Sequence, residues 1–184
     1  MLLVDWRFCL LWALLLMLLP LPWVTAAAAA AAFHELCHLI AVLLSGGVVH
    51  SLRISVGGAV MESHIPDNKK ELLCALAGPL GSFFLLAFYQ SFPRLALCAA
   101  VQGSFNLLPL YPLDGGRVLR CALALFFPEK PELAEQIEGC AAILILSAAV
   151  LGAIVFRSLL LLYFCAVLLA KRKMPCKQSR IGVQ

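Results

Sequence analysis

The sequence predicts an all-α polytopic membrane protein of about six transmembrane helices, with a small membrane-associated β-hairpin between helices 2 and 3. Three observations lead there. Of the 184 residues, 63% are hydrophobic and 13% charged, and the mean hydropathy is +0.98, whereas soluble domains are about 45–50% apolar. Several apolar runs reach or approach the roughly 17–25 residues that cross a bilayer, and no polar stretch is long enough to fold as a separate soluble domain. The basic residues are distributed asymmetrically among the loops between those runs.

The runs extend over Phe8–Leu19, Trp23–Leu44, Leu72–Tyr89, Leu95–Leu110, Cys140–Phe156 and Ser158–Ala170. With six spans and both termini in the cytoplasm, all 14 basic residues except Arg94 and Arg157 fall on the inner side, the bias that orients membrane proteins. Five spans would put Arg7 and the tail KRKMPCKQSR on opposite sides. Only Arg157 separates the last two runs, so one long tilted helix is the alternative there. Residues 1–170 read as one membrane domain and residues 171–184 as a basic cytoplasmic tail, in a multi-pass protein of the cell membrane.

Arg7, an apolar run and seven alanines, Ala26 to Ala32, have the three-part layout of a secretory signal. Cleavage would leave an odd number of spans. The alanines read better as a smooth helix face on which a neighbour packs closely. The net charge of +4 is scattered, with no basic stripe interleaved with aromatics, so no nucleic-acid partner is expected. None of the eight cysteines forms a Cys-x-x-Cys pair, so neither a disulfide framework nor a zinc ribbon is visible. Cys37 is read as a packing residue, since thiolates suit closed structural zinc sites.

The chemistry lies in AAAAAAAFHELCHLIAVLL, Ala26 to Leu44. His34 and His38 are four residues apart, which places them one turn apart on the same helix face, as two ligands of one metal must be. Glu35 is offset by about a hundred degrees and suits a general base acting on water at the metal. This is the His-Glu-x-x-His arrangement of zinc hydrolases. An ionisable group inside a membrane costs about 2.5–3.5 kcal/mol on insertion scales and needs a partner; one zinc ion, Zn²⁺, would supply it for both histidines. A catalytic zinc takes a third protein ligand, and Asp114 in NLLPLYPLDGGRVLR is the best-framed candidate. Pro109 and Pro112 break the preceding helix, while Gly115 and Gly116 are read as allowing a sharp turn after Asp114. Zn²⁺ with ionised Glu35 and Asp114 sums to zero charge, which a low-dielectric site tolerates.

HELCH in the second span, AGPLGS at Ala77–Ser82 in the third and NLLPLYPLDGG at Asn106–Gly116 at the end of the fourth together resemble the site-2 proteases, intramembrane zinc metalloproteases. The resemblance covers about Trp6 to Ala170, and the six-span layout looks most like the sporulation stage IV FB group. It implies zinc held by His34, His38 and Asp114, Glu35 as catalytic base, and Asn106 near the active site to orient substrate. The sequence departs from the family pattern at Cys37, where Gly is common, and at Ser82, where Asn is common. No PDZ insertion and no C-terminal regulatory domain of the cystathionine-synthase type are expected.

The stretch SLRISVGGAVMES alternates Leu52, Ile54 and Val56 with polar residues before Gly57-Gly58, a hairpin signal. It resembles the membrane-associated hairpin of the family, and Ile54 and Val56 are expected to bind substrate by offering a strand edge to an unwound peptide. His50 and His64, which flank it, read as interfacial residues. Arg117 to Phe127 reads equally as an interfacial helix or as a continuation of the bundle. Glu132, Glu135 and Glu138 suit the dipole at the start of the next helix. The expected activity is hydrolysis of a peptide bond in or beside a membrane-embedded segment, releasing a regulatory protein to the cytoplasm. Expected partners are a membrane-anchored protein substrate, the lipid bilayer and a membrane regulatory protein. A catalytically inactive membrane metal-binding or carrier protein is the competing reading; it would need the ligands but not Glu35.

Overall fold

Prolines and glycines set the ends of the central helix. Pro20 lacks the N–H that would continue α1 (Trp6–Leu18), and Pro22 sits in the first turn of α2 (Leu21–Leu44), where a missing N–H does no harm. At the other end Gly46 takes φ 75°, while Gly46 N–H donates to the Leu43 carbonyl and Gly47 N–H to that of Val42. This is a Schellman closure, which satisfies the last carbonyls and reverses the chain. The structure, a computed structural model, describes residues 2–4, 6–55, 58–64, 67–130 and 132–156. The expected span Ser158–Ala170, Arg157, the basic tail and Val56 lie outside the described residues.

The buried stripe of α2 runs through Ala30, His34, His38 and Val42 at four-residue spacing, with Val24 buried near its start, while Leu36, Ile40, Leu43 and Leu44 face outward. An apolar outer face suits lipid, and the buried stripe carries the ionisable groups inward. Against it lies α3 (Asn68–Phe84), capped by the Asp67 carboxylate accepting from Lys69 N–H at 3.0 Å and continued by a 3-10 turn, Leu85–Phe88. It buries Cys74, Ala75, Gly78, Pro79 and Ser82. The alanine tract contributes Ala30, which is wholly buried with Leu85 and with Ala99 of α4 (Pro93–Asn106). Small residues there let the helices approach closely. The chain then makes a loop to α5 (Asp114–Phe126) and α6 (Glu132–Phe156), and Leu110, Leu113 and Ala142 pack the loop onto α6.

Beside the helices stands a three-stranded sheet in the order β1 (Leu2–Val4), β2 (Val48–Ser55), β3 (Gly58–His64). β2 and β3 pair antiparallel from Val48 opposite His64 to Ser55 opposite Gly58, with an irregularity between Val49 and Ser51. β1 runs parallel to β2, with Val4 opposite Ile54. The expected use of Ile54 as a free strand edge is corrected by this order: its neighbours are Val4 on one side and Ala59 on the other. A strand added to this sheet would join at β1 or β3.

The six expected spans are matched in part, and the last lies outside the described residues. Among the described residues, two segments, Leu21–Leu44 and Asn68–Phe88, have the length and apolarity of a membrane crossing. α1 and α4 have 13 and 14 residues, roughly 20 Å at 1.5 Å per residue, short of a hydrocarbon core of about 30 Å. The fourth apolar run overran its helix because α4 ends at Asn106 and the next residues form the loop. Nor do Gly115 and Gly116 make a turn. Both are helical and buried in the first turn of α5, where a Cβ would strike the carbonyls of Leu107 and Leu108 or the backbone of Leu110 and Tyr111. Their use is close approach of helix to loop.

Candidate metal centre

His34 and His38 are 1% and 7% exposed on the inner stripe of α2, their rings 4.8 Å apart and edge-on. Asp114 arrives from the opposite side as the first residue of α5. Its Oδ2 lies 3.0 Å from His34 Nε2 and 3.1 Å from His38 Nε2, and the two Nε2 atoms are 3.2 Å apart. The structure thus brings together all three residues expected as ligands.

The outer partners fix which nitrogen faces the cluster. His38 Nδ1 is 2.7 Å from the Cys74 carbonyl, which only accepts, so Nδ1 carries the proton and the Nε2 of neutral His38 presents a lone pair. His34 Nδ1 is 2.8 Å from Ser82 Oγ. Asn106 Nδ2 lies 3.0 Å from His34 Nε2 and donates to it, so that nitrogen also presents a lone pair. Three lone-pair donors therefore converge with no hydrogen of their own between them, an arrangement that a cation between them resolves. Their separations are near the roughly 3.3 Å edge of a tetrahedron with bonds of about 2.0–2.1 Å. The donor set and the anchored Nδ1 positions fit zinc, whose histidine ligands characteristically hydrogen-bond outward in this way.

Glu35 follows His34 on α2 and is half-buried. Asn106, at the end of α4, directs its amide to the cluster. Ile54 belongs to the sheet and Val56 lies outside the described residues. Two supporting groups were not singled out as site residues from sequence: the Cys74 carbonyl and the Ser82 hydroxyl. AGPLGS was visible as a motif, and its physical content is now evident. Gly78 is packed against the His38 ring and Gly81 against the Cys37 side chain, so neither has room for a Cβ. Cys37 makes that contact on α2, outside the cluster of ligand atoms. Gly81→Ala should therefore cost about 1–3 kcal/mol by overpacking, and adding Cys37→Ala should recover most of it by removing the sulfur. Thermal unfolding of the single and double variants tests this contact. A double variant no more stable than Gly81→Ala would mean that the strain lies elsewhere.

Glu138 departs from its expected role as a dipole acid. It is 1% exposed and its carboxylate accepts two hydrogen bonds from Arg120, Nε to Oε1 at 2.6 Å and Nη2 to Oε2 at 2.9 Å. Arg117 reaches Glu71 of α3 at 3.7 Å. The α5 arginines thus face acids of the neighbouring helices.

Residues 8–108 match the Peptidase M50B-like family. The chain is 36% identical over 106 residues to a zinc metalloprotease of Methanocaldococcus jannaschii, an alignment covering 50% of this chain and 31% of that protein. The chain thus matches about a third of that relative's length. The solved structure of the site-2 protease from Methanocaldococcus jannaschii is similar with a TM-score of 0.66 at 23% identity, covering 98% of this chain and 94% of that one. The two share a fold.

Proposed function

The chain belongs to the Peptidase M50B-like family, and from that premise we propose that it is an intramembrane zinc metalloprotease of the site-2 type. It hydrolyses a peptide bond in or next to a membrane-embedded segment of a protein substrate. The observation that carries this reading is the convergence of His34 Nε2, His38 Nε2 and Asp114 Oδ2 on a buried stripe of α2, the helix that also bears Glu35. Zinc held by these three residues supplies Lewis acidity, polarising a carbonyl and acidifying water.

The chain's own groups do the rest. Cys74 and Ser82 hold the imidazoles with Nε2 inward. Glu35 takes the proton that water loses as it attacks the scissile carbonyl, then gives it to the leaving amine. The Asn106 amide, already directed at the cluster, donates to the substrate and orients it. α2 and α3 exclude bulk water from the ligand face, which strengthens each of these polar interactions. The natural substrate is a membrane-anchored regulatory protein, released on the cytoplasmic side, and a membrane regulatory partner controls access to the site.

Glu35→Gln tests the reading because it keeps the shape of the side chain and removes its basicity. The variant should retain zinc while cleavage of a membrane-tethered reporter in proteoliposomes falls on the order of 10²–10⁴-fold. Comparing membrane-anchored proteins in cells carrying wild type or Glu35→Gln would then identify the substrate. Wild-type cleavage by Glu35→Gln would remove the protease mechanism and favour a metal-binding protein.

A further inference from the structure

We infer that Arg120, gripped by Glu138, is a positioning residue that steadies the Tyr111–Asp114 segment so that Asp114 meets the two imidazoles; this rests on the zinc reading of the site. Glu138 lies in the second turn of α6, is 1% exposed and receives a bidentate Arg120 guanidinium. Such a pair fixes orientation as well as distance, because the planar fork fits the carboxylate in one geometry. The same guanidinium lies over the Tyr111 ring, its central carbon 4.4 Å from the ring centroid, within cation–π range. Tyr111 precedes Asp114 by three residues, and its backbone is packed against Gly116 of α5.

One charged group therefore ties α6 to the segment that delivers the carboxylate. Leu110 and Leu113 press the same segment onto Ala142 of α6, but apolar contacts allow sliding that a bidentate bridge does not. The carboxylate is buried while the guanidinium side chain is 42% exposed, so solvent screens the pair and it adds little to stability. Setting the direction of a neighbouring group is a use that fits its position.

Zinc affinity, measured by chelator competition on the detergent-purified full chain below its unfolding temperature, tests the assignment. Tyr111→Leu and Glu138→Gln should each weaken zinc binding roughly tenfold, as loss of an outer partner does. Glu71→Gln, which breaks the other ion pair of α5, should leave affinity unchanged while lowering the thermal midpoint. Because the device acts through Asp114, Tyr111→Leu added to Asp114→Ala should weaken the residual affinity no further. Unchanged affinity in Tyr111→Leu beside a metal-poor Asp114→Ala overturns the positioning role alone. Full zinc occupancy in Asp114→Ala overturns the zinc reading and the positioning role together. If Glu138→Gln yields no folded protein, Tyr111→Leu, which keeps both charges paired, decides.

Discussion

Asp114→Ala is expected to purify folded, with little zinc and with no measurable cleavage of a membrane-tethered substrate. Asp114 is the only carboxylate among the three converging side chains. Its removal leaves two neutral imidazoles, too few donors for a catalytic zinc that takes three from the protein. The loss of affinity should exceed the 10–100-fold or so that follows loss of an outer partner. Ser82→Ala, which removes the 2.8 Å contact to His34 Nδ1 but no ligand, should fall in that smaller range. His34→Ala and His38→Ala should resemble Asp114→Ala. The ranking matters more than any single value, because a general loss of folding would flatten it. Metal analysis of Asp114→Ala showing one zinc per chain would exclude Asp114 as a ligand.

How much of this site was legible depended on whether the relevant contact lies within one element. His34, Glu35 and His38 share a helix, and the periodicity of a helix is fixed, so their relative placement followed from spacing. Asp114 was legible for a different reason: an acid framed by apolar sequence, prolines and glycines is conspicuous. Contacts between helices gave no such signal. Glu138 and Arg120 are 18 residues apart on different helices, and Glu138 read as one of three acids at a helix start. Gly78 and Gly81 matched a family motif, but the ring and thiol they accommodate belong to α2. Gly115 and Gly116 read as a turn because glycine pairs usually mark one, whereas here they let α5 lie against the preceding loop. Hydropathy misplaced the end of the fourth run for a related reason. An apolar run records burial or lipid contact without recording where the helix stops, and α4 stops at Asn106 while apolar residues continue to Leu110. β1 left no trace, since Leu2–Val4 is three apolar residues whose partner lies some fifty positions away.

Gly78→Ala should damage the zinc site although residue 78 offers no ligand atom. A Cβ there would run into the His38 imidazole at Nε2, Cε1 and Cδ2. The ring has little freedom to yield: its Nδ1 is held by the Cys74 carbonyl at 2.7 Å and its Nε2 is 3.1 Å from Asp114. Either the ring swings away from the ligand cluster or α3 moves back from α2, and both separate donors that must converge. Overpacking of a tight core costs about 1–3 kcal/mol, so the thermal midpoint should fall, but zinc affinity should fall further than that loss of stability alone explains. Gly46→Ala separates the two effects. Gly46 has φ 75°, and a Cβ added there would meet nothing within 4 Å, so alanine strains the backbone by roughly 1–2 kcal/mol without touching the site. It should lower the midpoint and leave zinc binding intact. If Gly78→Ala binds zinc as tightly as Gly46→Ala does, α2 and α3 have slack at this point, and the contact with His38 is not what reserves the position for glycine.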